Sequence, residues 1–158
     1  MWLLISDTHD NLDKLKKLPN IIKKNSIKTI FHCGDFISPF TLKFFMYENV
    51  DFYGVFGNND GERVILSQKS NVSIVPGPRF LEINNKKIYM MHEPYSLKAA
   101  KNSKLYDYIF FGHTHEKFHE QMNNTQIINP GEGSGWLTNQ ATYVIINPEN
   151  NKIEFKVL

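Results

Sequence analysis

Tyr108-Ile-Phe-Phe-Gly-His-Thr-His115 is an apolar run that stops at a glycine and then presents two histidines. Unbroken apolar character predicts a short buried strand over residues 107–111. Gly112 is expected to let the backbone turn sharply there, so that His113 and His115, two residues apart, point into one small volume. A histidine pair on a polar loop is more often simply solvated. The pair gains weight because four earlier apolar runs end in the same manner.

Residues 2–6 run into Asp7-Thr8-His9. In extended backbone Asp7 and His9 face one side, the geometry of two ligands to one cation, while Asp10-Asn11 also reads as a helix cap. Residues 28–31 lead to His32-Cys33-Gly34-Asp35, where Gly34 permits a close backbone approach that seats Asp35 at the strand end. Residues 51–56 lead to Gly57-Asn58-Asn59-Asp60-Gly61, a turn by every local rule. Its functional reading is an amide ligand from Asn58 beside a polar Asn59, with Asp60 capping the next helix. Residues 86–91 end at His92, a lone histidine of a kind more often hydrogen-bonded in a core.

Between these runs, Leu12, Leu15, Leu18 and Ile22 keep helical spacing, with Pro19 kinking or breaking the helix. Ser38-Pro39 is expected to open a helix reaching Met46, and residues 96–100 to form another. Asn84-Asn85 joins strands 79–83 and 86–91 as a hairpin. Residues 117–121, 125–128, 141–147 and 153–157 read as antiparallel strands. The loop of Asn129-Pro130-Gly131, Gly133 and Gly135 is expected to pass near the pocket built by the other strand ends.

At 158 residues, 41% hydrophobic and 22% charged, the chain suits one globular domain, 1–158. A net charge of +2, carried by lysines with only Arg63 and Arg79 among them, gives no indication of a nucleic-acid or anionic-membrane partner. Cys33 is the sole cysteine, which leaves no disulfide and no cysteine zinc cage, and it reads as a small buried side chain. Met1 leads almost at once into Asp7, no apolar run approaches a membrane span, and a cytoplasmic setting is expected.

Taken in order, Asp7-x-His9, Gly34-Asp35, Gly57-Asn58-Asn59-Asp60, His92 and Gly112-His113-Thr114-His115 resemble the motifs of the calcineurin-like metallophosphoesterases, specifically their small single-domain bacterial and archaeal branch. The Asn129-Pro130-Gly131 loop resembles that branch too. The resemblance implies an α/β fold, a four-layer αββα sandwich of two mixed sheets flanked by helices, with a dimetal site at strand C-terminal ends. It implies that Asp7, His9, Asp35 and His115 hold one ion and Asp35, Asn58, His92 and His113 the other, with Asp35 bridging. Four imidazoles, two carboxylates and an amide suit Mn²⁺ foremost, or Ni²⁺, Fe²⁺ or Zn²⁺, over Mg²⁺. The implied activity is hydrolysis of a small phosphodiester by a hydroxide bridging the ions.

One departure bears on rate. Asn59 stands where many larger members carry histidine; an amide can contact the substrate phosphate but cannot deliver a proton, so slow turnover on poor leaving groups is expected. The alternatives are a non-catalytic scaffold of the same fold, as in the retromer subunit that resembles this family, or a phosphomonoesterase or nuclease. His32 is expected to orient the site from behind and His119 to lie outside it. Phe36 and Phe40 are expected in the core, with the mouth of the site as their other reading. A homo-oligomer is compatible with the sequence.

Overall fold

Strand β1 (Trp2–Ile5) is buried along its whole length and divides its side chains between two cores: Leu3 and Ile5 join one apolar cluster, Trp2 and Leu4 another. Burial on both faces is why the run shows no alternation. The structure, a computed structural model, describes residues Met1–Leu158.

Two mixed sheets stack face to face. The first contains β1, β2 (Thr29–His32), β3 (Asp51–Val55), β4 (Ile74–Val75), β10 (Thr142–Asn147) and β11 (Lys152–Val157), in the order β11-β10-β1-β2-β3-β4. Strands β1 to β4 are parallel, β10 runs antiparallel beside β1, and β11 pairs antiparallel with β10 at the sheet edge. The second contains β5 (Arg79–Ile83), β6 (Lys86–Met90), β7 (Tyr108–Phe110), β8 (Lys117–Met122) and β9 (Thr125–Pro130), in the order β5-β6-β7-β9-β8. Here β6, β7 and β9 are parallel.

Three apolar clusters are the three contacts between four layers. Trp2, Leu4, Phe31 and Val55 of the first sheet meet Ile88, Met90, Tyr108, Phe110 and Ile128 of the second. On the first sheet's outer face, Ile5, Ile30 and Phe52 pack with Leu15 of α1 (Leu12–Leu15), Leu18 and Ile22 of α2 (Leu18–Lys24) and Leu66 of α3 (Arg63–Lys69). On the second sheet's outer face, Tyr89, Ile109 and Ile127 meet Ala100 of α4 (Leu97–Ser103). The fold is the four-layer α/β arrangement that the motifs imply.

Local differences have local causes. Pro19 sits in the first turn of α2 and separates it from α1, since its ring and missing N–H are tolerated only at a helix start. Ser38-Pro39 opens a 3₁₀ helix, Pro39–Phe44, instead of an α-helix, and the Ser38 side chain caps nothing. Phe36 is buried, whereas Phe40 is exposed.

Register fixes where chemistry can gather. Ile5 pairs with His32 and His32 with Gly54, while Met90 pairs with Phe110 and Phe110 with Ile128. The parallel strands of each sheet therefore end level, and their following loops share one rim.

Candidate metal centre

The loops at this rim are laced together before any side chain is considered. Asp7 N donates to Gly34 O (3.0 Å), Thr8 N and His9 N to Asp35 O (3.1 Å each), and Gly112 N to His92 O (3.1 Å). The Asp60 carboxylate is buried and accepts from the backbone N–H of Asp35 (3.1 Å), Phe36 (2.7 Å), Ile37 (2.8 Å) and Gly57 (2.7 Å). The expected helix cap at Asp60 is thus corrected: α3 has Glu62 at its N-cap position, with no side-chain cap bond. Four converging donors from two loops outcompete a local cap, because burying them unpaired costs far more.

All seven candidate side chains come together in one closed ring. Asp7 Oδ1 lies 3.4 Å from His115 Nε2, which lies 3.3 Å from His9 Nε2, which lies 3.6 Å from Asp35 Oδ2. Asp35 Oδ2 is 3.5 Å from His92 Nε2, and Asn58 Oδ1 is 2.8 Å from His92 Nε2 and 3.0 Å from His113 Nδ1. His113 N donates back to Asp7 Oδ2 (3.1 Å). Asp35 stands where the two halves meet. Asn59 is brought in as well, its N donating to Asp35 Oδ1 and its Nδ2 to Asp35 Oδ2, both at 2.8 Å.

Holding this ring requires unusual backbone. Asp7, His9, Asp35, His113 and His115 have φ of 53°, 40°, 59°, 69° and 61°, a left-handed region that non-glycine residues seldom occupy. The turn after β7 is therefore made by His113. Gly112 serves close approach instead, since a Cβ there would stand 2.0 Å from Ser6 Oγ and 2.8 Å from Asp7 Oδ2. Gly34 does what its sequence position predicts: a Cβ would stand 2.7 Å from both Gly57 N and His92 Nδ1.

Proton bookkeeping shows what the ring fits. Burial holds His92 below the ordinary imidazole range, and its Nδ1 faces Cys33 O at 2.7 Å, so Nδ1 carries the proton. Its Nε2 lone pair then faces the carbonyl oxygen of Asn58, acceptor against acceptor, an arrangement that a shared cation satisfies. Asp7 Oδ1 is likewise buried without a hydrogen-bond partner. Burial, reinforced by the Asp35 and Glu132 carboxylates, pushes Asp7 up to about 8. Ligand atoms of Asp7, His9, Asp35 and His115 lie within 4.8 Å of one another. These donors fit divalent metal, whose charge reverses the local cost of ionising Asp7.

Outside the ring, His32 is buried and neutral. Its Nδ1 accepts from Gly34 N (3.1 Å), so Nε2 donates to Thr8 Oγ1 (3.0 Å), supporting the loop between Asp7 and His9. His119 pairs with Gln126 Oε1 across β8 and β9. Asn129 Nδ2 donates to Gly112 O and Thr114 Oγ1, both at 3.0 Å, pinning the histidine loop. Glu132 is the residue that sequence reading missed: a buried carboxylate whose Oε1 is 3.5 Å from His115 Nδ1. Its only signal was membership of a glycine-rich loop expected near the pocket. Gly133 N and Ser134 N of that loop do bond Ser6 O and Asp7 O.

Residues 1–151 match the calcineurin-like phosphoesterase superfamily domain. The chain belongs to this superfamily. Over 161 aligned residues it is 35% identical to phosphodiesterase MJ0936 of Methanocaldococcus jannaschii, covering 98% of this chain and 97% of that protein. The solved structure of an archaeal phosphodiesterase superposes with a TM-score of 0.92 at 35% identity, covering 99% of each chain. Vacuolar protein sorting 29 from Cryptosporidium parvum superposes at 0.69 and 19% identity, over 99% of this chain and 95% of that one, which shows a shared fold alone. No helix is long and apolar enough to cross a membrane.

Proposed function

We propose that residues 1–158 act as one catalytic domain, a phosphoric ester hydrolase that cleaves small phosphodiesters with two divalent transition metal ions in the ring. Manganese is the first choice, with nickel, iron and zinc as alternatives, and the setting is cytoplasmic. The observation that carries the reading is Asp35 Oδ2, 3.6 Å from His9 Nε2 and 3.5 Å from His92 Nε2, one oxygen serving both halves.

Asp7, His9, Asp35 and His115 would hold one ion, and Asp35, Asn58, His92 and His113 the other. When bound, such a pair supplies Lewis acidity toward phosphoryl oxygens and acidifies water. The chain's own residues set the rest. Cys33 O fixes the His92 tautomer, and Asp60 locks the loops of Asp35 and Asn58 into register. Asn59 is close enough to reach a phosphate oxygen by giving up its bond to Asp35. Hydrolysis forms a P–O bond from water, breaks the ester P–O bond and transfers a proton to the departing alcohol. The neutral amide of Asn59 cannot deliver that proton, so activated esters should react best. No observation favours a scaffold over an enzyme, since all seven ligand side chains are present and close together.

The test is the initial rate on bis-p-nitrophenyl phosphate with added Mn²⁺, in the natural protein and in His113→Ala. Metal-dependent hydrolysis that disappears in the variant supports the reading. Equal rates, or none with any of the four metals, would sink it.

A further inference from the structure

Strand β11 forms one edge of the first sheet and pairs only with β10. Leu158 N donates to Ala141 O (2.9 Å) just beyond the ladder, and within it Lys156 stands opposite Tyr143 and Glu154 opposite Ile145. Antiparallel partners exchange bonds at every second residue, so Lys152, Glu154 and Lys156 turn their backbone groups toward β10. The N–H and C=O of Ile153, Phe155 and Val157 therefore point outward along the edge, and no other segment of the chain bonds them.

The side chains divide between the faces with the same alternation. Ile153 and Phe155 are half-buried against the core between the sheets, and Val157, next on that face, is 58% exposed. On the other face Glu154 pairs with both Lys152 and Lys156, the latter at 2.6 Å. Lysines on an edge strand ordinarily repel a second strand. Here an acid stands between them, and the guard fails against a partner whose own acid meets a lysine.

A second copy of this chain is such a partner. Outward residues must pair with outward residues, which leaves few registers for a two-fold antiparallel pairing. Centred on Glu154, it sets Glu154 against Glu154 and Lys152 against Lys156; centred on Lys156, it sets that lysine against itself, and like charges directly opposite are destabilising. Centred on Ile153 or Val157, it carries much of each strand past the end of the other. Centred on Phe155, it joins Ile153 to Val157 and Phe155 to its own copy, and places Glu154 opposite Lys156 on both sides of the axis. Each outward N–H and C=O of the strand then finds a partner.

We propose that the chain forms a two-fold dimer by antiparallel pairing of β11 with β11 about Phe155, joining the first sheets of two copies into one continuous sheet. The pairing uses none of the ring's side chains, so its test is independent of the phosphodiesterase reading.

Sedimentation equilibrium over a dilution series is expected to show a species of twice the chain's mass, and a chain that stays monomeric throughout overturns the proposal. Lys156→Glu sets acid against Glu154 on both sides of the axis and is expected to weaken association about tenfold or more. Adding Glu154→Lys reverses both signs and is expected to restore it. Val157→Pro removes an outward N–H while leaving the bonds to β10, and should weaken association as well. A dimer unmoved by Lys156→Glu or by Val157→Pro, or a loss in Lys156→Glu that Glu154→Lys does not repair, overturns the pairing.

Discussion

Glu132 Oε1 lies 3.5 Å from His115 Nδ1, a buried ring atom with no hydrogen-bond partner. The carboxylate is held by Ser134 Oγ (2.7 Å), Leu137 N (2.9 Å), Thr138 N (2.9 Å) and Thr138 Oγ1 (2.7 Å), so its place is set independently of the histidine. It favours a proton on Nδ1 and leaves the Nε2 lone pair facing Asp7 and His9. Trp136 rises from the same loop, 62% exposed, with its Nε1 donating to His9 O (3.3 Å).

Glu132→Gln keeps the shape and loses the charge. Removal of such a supporting partner typically weakens metal binding about 10- to 100-fold, and that loss is expected in calorimetric titration with Mn²⁺. Affinity equal to that of the natural protein would assign Glu132 to loop stability alone. Trp2 is buried, so Trp136 dominates any solvent-sensitive fluorescence change and reports whether the loop has moved.

Acid sensitivity should carry the same residue's mark. Burial raises Glu132, but hydrogen bonds from Leu137, Ser134 and Thr138 outweigh it and hold the carboxyl at about 2, against 4.5 unperturbed. The unfolded chain then binds more protons between those values, so stability rises with pH across that window. Glu132's contribution is complete above pH 4.5 and lost as pH falls toward 2. Thermal melts of metal-free protein should show the largest gap between natural and Glu132→Gln proteins near neutrality, closing in acid. A gap that widened in acid would contradict the assignment.

Asp60→Ala strips four backbone donors of one buried acceptor. Bonds to a charged group and stranded buried donors each cost on the order of 1.5 to 3 kcal/mol before relaxation, so a net loss of about 3 kcal/mol is expected in urea unfolding. A loss below about 0.5 kcal/mol, the scale of an ordinary surface change, would mean that water replaces the carboxylate freely.

Gly112→Ala places a methyl against Ser6 and Asp7, with the Cβ 2.8 Å from Asp7 Oδ2. Displacing a catalytic constellation by even an ångström can cost about 10²-fold. Metal-dependent hydrolysis is expected to fall by that order while circular dichroism still reports the fold. Retained activity would show that Ser6 yields without disturbing Asp7.

Asn59→His restores an ionisable group beside Asp35. General acid assistance is worth about 10² to 10⁴, and part of it should appear on unactivated alkyl esters, while p-nitrophenyl esters gain little. An equal gain on both would locate the effect in binding.

The chain's order of apolar runs, each ending in a ligand-type residue, was enough to determine the family, the layered fold and the seven side chains of the ring. That legibility has a physical basis. Buried parallel strands must be continuously apolar, and their level C-terminal ends leave each following residue at one rim, so local pattern already encodes a shared site. Gly34 was readable for the same reason. What only the tertiary structure decided were the partners far apart in sequence: Asp60 answering four N–H groups of two loops, Glu132 behind His115, and Gly112 giving way to Ser6. Three of the donors to Asp60 come from the separate loop of Asp35, Phe36 and Ile37. Glu132, though held by its near neighbours Ser134, Leu137 and Thr138, meets His115 only through the fold, so neither role is written in the residue's own neighbourhood.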